Sequence, residues 1–228
     1  MNKQPVFCFF ISLFFAISLQ AQSANELVEK VKTKLDKVNN YQADGTLKTN
    51  VIFLKAPVAN VKIYYKKPGK WRIVNKNGIS FIPKGSTNIS LSNIFQDNSS
   101  YDIIDGGKDS SGLRIIKLLP KQDTSDIILS ILYVDEKNFL IKRSKTSTKE
   151  SGTYELEMKY GKYADFGLPD KVIFSFNTKD YKMPKGVTLD YDDGTKKKAE
   201  PLKDKKGKVE IVYSNYSINK GVDDSVFK

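Results

Sequence analysis

The chain contains no histidine, and its single cysteine, Cys8, lies among its first ten residues. Ser-His-Asp and Cys-His nucleophilic sites and histidine-ligated zinc are therefore excluded on composition alone. Carboxylate, serine–lysine and tyrosine chemistry remain. A carboxylate pair about 5–10 Å apart across a cleft would serve glycoside chemistry. The acids here instead alternate with apolar residues, as Glu155 and Glu157 do with Tyr154, Leu156 and Met158, which places them on the wet face of a strand. Asp190, Asp192 and Asp193 have the look of a calcium loop. Gly194 comes one place too early for an EF-hand, however, and Pro201 stands where a bidentate Glu is needed. That segment reads as a hairpin turn. No catalytic residue, metal or cofactor is expected, and the chain reads as a non-enzyme.

The elements around these residues begin with an export signal. Lys3 precedes an apolar stretch, Val6–Leu19, and the polar Gln20-Ala21-Gln22 follows with a small residue at a cleavage position. The stretch falls short of the ~20 apolar residues that a spanning helix needs. Residues 1–21 are expected to be a signal peptide and 22–228 a single domain. Cys8 leaves with the signal and is misplaced for lipid attachment, so the exported protein is expected to carry neither disulfide nor lipid anchor. The formal net charge of +12 is spread along the chain and is densest at Lys196–Lys198 and Lys203–Lys208. This density reads as a solvated, solubilising loop. No nucleic-acid motif accompanies it, and no nucleic-acid partner is expected.

A helix is predicted over Ala24–Asn39. Ser23 and Glu26 form a capping box, and Leu27, Val28, Val31, Leu35 and Val38 make one apolar stripe on a charged cylinder. From Tyr41 the period changes to two. Leu47, Thr49, Val51 and Phe53 alternate with polar residues, as do Val61, Ile63 and Tyr65, and then Tyr154, Leu156, Met158 and Tyr160. Turn signals separate the runs at Pro68-Gly69, Asn77-Gly78, Gly106-Gly107, Ser151-Gly152, Asp193-Gly194 and Lys206-Gly207. Asp126–Asp135 is a continuous apolar run whose length and β-branched content favour a strand, and a short helix is expected near Leu91–Phe95. About ten strands and one amphipathic helix cannot make a helix-coated parallel sheet. Sandwich and curled barrel both remain open on the residues alone.

The segment Tyr64–Ile73, Tyr-Tyr-Lys-Lys-Pro-Gly-Lys-Trp-Arg-Ile, resembles the LolA-type periplasmic lipoprotein carriers. Four further segments follow in the family's order: Asn77–Pro83, Leu118-Leu119-Pro120 with Ile131–Asp135, Leu168–Phe176, and Tyr216–Phe227. The resemblance spans almost all of residues 22–228. It implies a mainly β fold: an unclosed, strongly curved antiparallel β-barrel of about ten to eleven strands. An N-terminal amphipathic helix and short helices would cover an apolar cavity. It also implies a periplasmic carrier, acting as a monomer, that binds the acyl chains of outer-membrane lipoproteins. The family carries these from an inner-membrane donor complex to an outer-membrane acceptor. A paralogue carrying another lipid or amphiphile, and an exported structural β-protein with a filled core, are the alternatives.

The lipid-binding residues implied are Tyr65, Trp71, Ile73, Phe81, Leu156, Met158, Phe174 and Phe176, with Leu27, Val31, Leu35 and Lys67 on the lid. Lys67 stands where the family has an arginine that ties the lid to backbone carbonyls, and lysine lacks the planar guanidinium fork. Lys182–Lys208 is long and charged beside the family pattern and reads as an added hairpin.

Overall fold

The computed structural model describes residues 23–50, 58–75, 100–150, 152–177 and 206–227. The expectations for the signal peptide, Val51, Phe53, the Asn77-Gly78 turn, Phe81, the helix near Leu91–Phe95 and the calcium-like turn at Asp190–Gly194 lie outside them. So does most of the Lys182–Lys208 hairpin.

The helix α1 spans Ala24–Asp36, and Ser23 Oγ accepts from the Glu26 amide at 3.1 Å as its N-cap. It stops three residues short of the expected Asn39. The end is fastened by a residue from the far end of the chain. Asn219 Oδ1 accepts from the Asn39 and Asn40 amides at 2.8 and 3.3 Å, and its Nδ2 donates to the Lys37 carbonyl at 2.8 Å. Asn219 holds φ at +55°, in the left-handed region that asparagine tolerates better than most residues.

Ten strands follow among the described residues: β1 (Asn40–Asn50), β2 (Ala59–Lys66), β3 (Lys70–Asn75), β4 (Tyr101–Lys108), β5 (Arg114–Pro120), β6 (Ile127–Asp135), β7 (Leu140–Thr148), β8 (Gly152–Lys159), β9 (Lys171–Asn177) and β10 (Lys206–Ile218). They form one antiparallel, unclosed, curved sheet in the order β3-β2-β1-β10-β9-β8-β7-β6-β5-β4. The first and last strands pair with each other as the third and fourth of the ten, and their pairing joins two runs of sequential neighbours, β1–β3 and β4–β10. Period-two alternation turns one face inward. Leu47, Val61, Ile63, Ile116, Leu132, Leu156, Phe174 and Ile211 are buried there, and the stripe Leu27, Val28 and Val31 of α1 closes over them. The apolar run near Asp126 is strand β6, with Leu132 and Val134 inward.

Two expected turns are not turns. Gly106-Gly107 lies inside β4, where the register against β5 shifts between Asp105 and Lys108. Asp105 Oδ1 accepts from the Gly107 amide at 2.8 Å, and Gly107 has φ +77°, so the pair makes a bulge. Lys206-Gly207 opens β10. A Cβ on Gly207 would sit 2.5 Å from the Phe176 ring, so this glycine makes room for an aromatic. Glycine marks bulges and close approaches as well as turns, and composition alone cannot separate the three.

Candidate functional site

Beneath the C-terminal end of α1, side chain packing leaves a hollow of about 60 Å³. It is lined by Leu35 and Val38 from the end of α1 and by Tyr41, Tyr65, Trp71, Met158, Val172, Tyr213 and Tyr216 from the sheet. The loop between β8 and β9 completes it with Phe166, Gly167, Leu168 and Pro169. Among the described residues no charged side chain lines it.

The aromatic wall is continuous. Tyr41 stacks on Tyr65 with centroids 5.3 Å apart and meets Tyr216 edge-on at 5.2 Å. Tyr216 stacks on Tyr213 at 5.1 Å and meets Tyr163 edge-on at 4.8 Å. Its hydroxyl donates to the Pro169 carbonyl at 2.7 Å, pinning the β8–β9 loop. Burial pushes the Tyr41, Tyr213 and Tyr216 phenols well above their ordinary value, so all three are neutral hydroxyls near neutral pH.

A local irregularity makes this wall. Tyr213 and Tyr216 are three residues apart, and strict alternation would put them on opposite faces. The β1–β10 register pairs Asp44 with Asn215 but Gly45 with Tyr213, leaving Ser214 as an extra residue in β10. That bulge reverses the phase and turns both tyrosines inward. Gly45 must oppose it, because a Cβ there would come within 2.5 Å of the Val212 carbonyl oxygen. Tyr41 and Tyr213 are in phase with Leu47 and Ile211 but are not among the expected site residues, whereas Tyr216 lies beyond the bulge, out of phase, and period-two reading misses it.

The residues expected at the site divide into two groups. Tyr65, Trp71 and Met158 line the hollow with Leu35. Leu156, Phe174 and Phe176 are buried but do not border it; the Phe174 ring lies 5.4 Å from those of both Tyr154 and Phe176. Ile73 packs partly buried against the core. Leu27 and Val31 are buried under α1 but do not border the hollow.

The cover over the hollow is held by lysines that reach backbone carbonyls. Lys67 Nζ, in the β2–β3 turn, donates to the Asp36 carbonyl at 3.2 Å and to Asp36 Oδ1 at 2.9 Å. It places a cation on the last turn of α1, where the helix dipole favours one. Lys34 Nζ reaches the Asn138 carbonyl at 2.6 Å, and Lys37 Nζ the Asp165 carbonyl at 3.3 Å. Burial raises the Asp36 pKa, but hydrogen bonds from Lys32 and Lys67 outweigh it and leave the carboxyl below its usual 3.8. The β2–β3 turn is braced from its other side. Asp224 takes Lys66 and Lys70, each at 2.8 Å, and Arg72 donates to the Val226 carbonyl at 2.8 Å. Leu35 meets the β8–β9 loop at Gly167, which has φ +66°; a Cβ there would lie 2.9 Å from Leu35 Cδ2.

Among the described residues no group of three or more acids, histidines or cysteines is placed to hold a metal. No helix among them is long and apolar enough to cross a membrane.

No protein-family model matches the chain, and no curated protein matches it. Solved structures do. An outer membrane lipoprotein-sorting protein domain from Vibrio parahaemolyticus superposes with a TM-score of 0.54 at 9% identity, over 89% of this chain and 94% of that one. A LolA superfamily protein from Nitrosomonas europaea gives 0.56 at 10% identity, over 91% and 98%. A DUF1329 family protein from Desulfovibrio piger gives 0.53 at 14% identity, also over 91% and 98%. A curved, unclosed antiparallel sheet with one helix lying over its inner face is what these share with it, and the fold of this chain is the LolA-like fold.

Proposed function

We propose that this protein is an exported, periplasmic, non-enzymatic carrier that shields acyl chains of lipoproteins, or of a related lipid, between α1 and the inner face of its sheet. The observation that carries this reading is the uncharged, aromatic hollow under a helix end that is fastened by lysine-to-carbonyl bonds. Burying an acyl chain is worth about 0.8 kcal/mol per methylene, so a carrier needs apolar wall and a cover that moves. At about 60 Å³ the hollow holds a few waters and not an acyl chain. This is the closed state, and loading requires the end of α1 to lift. Lysine at position 67 supplies the cation of the lid latch without the guanidinium fork, and a single-carbonyl hold releases more readily. A membrane donor and an outer-membrane acceptor belong to this reading as its partners.

An exported structural β-protein is the second reading, favoured by the burial of Leu27 and Val31 in one core cluster with the sheet. Mass spectrometry of organic extracts from the protein purified from its native compartment separates the two. A carrier brings down acylated peptide or lipid, which a Trp71→Glu variant loses and a Trp71→Phe variant keeps. A protein free of amphiphile that also takes up no added lipid is the structural one.

A further inference from the structure

The outer face of the sheet, turned away from α1, is finished differently at its two ends. At the β3 end the segment Asp224–Phe227 lies against it, anchored by Lys66, Lys70 and Arg72. At the β4 end the face is open. Ile116, Leu118 and Leu132 are buried on the inner side, so Ile104, Lys117, Leu119 and Ile131 stand on the outer one. Ile104, in the edge strand, is 44% exposed and Leu119 is 36% exposed. Lys117 pairs in register with Ile104 on one side and Ile131 on the other, which sets a lysine between two isoleucines.

An exposed aliphatic cluster at a free sheet edge marks a contact surface, and the charge around it says with what. Lys48, Lys117, Lys159 and Lys208 are exposed on this face and make no ion pair among the described residues. Most acids on the face are neutralised. Asp102, opposite Leu119, meets Lys121 at 3.7 Å, Glu155 meets Lys145 at 3.7 Å, and Glu210 meets Lys171 at 2.7 Å. Glu157 is exposed there without such a pair. The surplus is positive, in keeping with a formal net charge of +12.

An acidic protein and an anionic bilayer would both meet that charge, and the place of Lys117 decides between them. The middle of a protein–protein contact is depleted in lysine. At a bilayer the lysine stem lies along the apolar boundary while its ammonium stays with the lipid phosphates. We infer that the outer face at β4–β6 docks on an anionic bilayer surface, with Ile104 and Leu119 at the acyl boundary and Lys117 on lipid phosphate. The hollow lies on the other side of the sheet, so this contact leaves the cover free and does not depend on the carrier reading.

Flotation with vesicles tests it, using the protein purified from its native compartment. One set of vesicles is phosphatidylcholine alone, and the other contains about one-third phosphatidylglycerol. The protein floats with the anionic set and not with the neutral one, and the binding is lost between about 0.05 and 0.5 M salt. Lys117→Glu lowers affinity for the anionic vesicles about tenfold, and Lys117→Arg preserves it. Ile104→Ser combined with Leu119→Ser lowers it by a similar factor. Lys137→Glu makes the same charge change on the exposed β6–β7 turn and alters affinity by no more than about twofold. Unchanged thermal midpoints show that these surface variants remain folded.

Equal losses in Lys117→Glu and Lys137→Glu overturn the inference, because the attraction is then to net charge and not to this face. Failure to float with the anionic vesicles overturns it directly. So does self-association in analytical ultracentrifugation that Lys117→Glu abolishes while vesicle binding persists, since the face is then a contact between copies. None of these outcomes touches amphiphile binding in the hollow, which the extraction experiment reads separately.

Discussion

The two halves of α1 face the same sheet and do different work. In the first half Leu27 is 1% exposed, and Val28 and Val31 are buried beside it in close-packed core. In the second half Leu35, with Val38 just beyond the helix, covers a hollow, and polar bonds from Lys34, Lys37 and Lys67 to backbone carbonyls hold the helix end down. Apolar burial is strong and has no preferred direction, whereas a lysine-to-carbonyl bond is weak, local and easily exchanged for water. On the carrier reading proposed above, one helix is anchored at its start and releasable at its end. A cover that must open without unfolding the protein needs that division.

Cutting the anchored half produces the largest effect. Leu27→Ala removes a fully buried side chain and is expected to cost about 2–5 kcal/mol in chemical denaturation. Leu35→Ala, at the edge of a hollow, costs less than half as much and speeds uptake of a fluorescent acyl ester. Equal losses at the two positions would erase the difference between the halves. Gly167→Ala comes next. It forces a side chain into left-handed backbone and pushes Leu35, with an expected loss of roughly 1–3 kcal/mol and faster amide exchange over the last turn of α1.

Lys67→Met has a smaller cost, within about 1 kcal/mol for a partly exposed ion pair, yet it raises the uptake rate by about two- to fivefold. Lys67→Arg restores slow uptake. An unchanged rate in Lys67→Met would show that the turn does not hold the cover. The smallest effect is that of pH on the ion pairs. Asp36 sits below its usual 3.8, and Lys66 and Lys70 pull Asp224 down to about 2. A carboxyl depressed in the folded state stabilises it above its ordinary pKa and loses that contribution as pH falls through the folded one. Both clasps therefore hold unchanged from pH 8 to 5 and loosen between about pH 4 and 2, with Asp36 going first. Uptake followed across that range, with Asp36→Asn and Asp224→Asn as references, checks the order.

Much of the framework was legible in the chain. The Ser23 cap and the Leu27–Val38 stripe announced α1, and the alternation at Val61–Tyr65 and Tyr154–Met158 announced β2 and β8 with the correct inward faces. The candidate site was half legible. Tyr65, Trp71 and Met158 border the hollow, but Phe174 and Phe176, equally apolar and equally inward, do not. Alternation reports which face a residue takes, not which part of that face is left uncovered by the helix. Tyr216 was hidden by a bulge that nothing in its spacing reveals.

Local rules are written residue by residue, so the sequence alone determined the helix cap, most strand faces and the absence of histidine-based chemistry. The hollow is a property of distances between segments far apart in the chain. Where α1 ends depends on Asn219, which residues of β10 turn inward depends on how that strand meets β1, and what fastens the cover depends on the β2–β3 turn reaching Asp36. Each of these is set by register and packing between partners that do not neighbour one another in sequence, and only the folded chain brings them together.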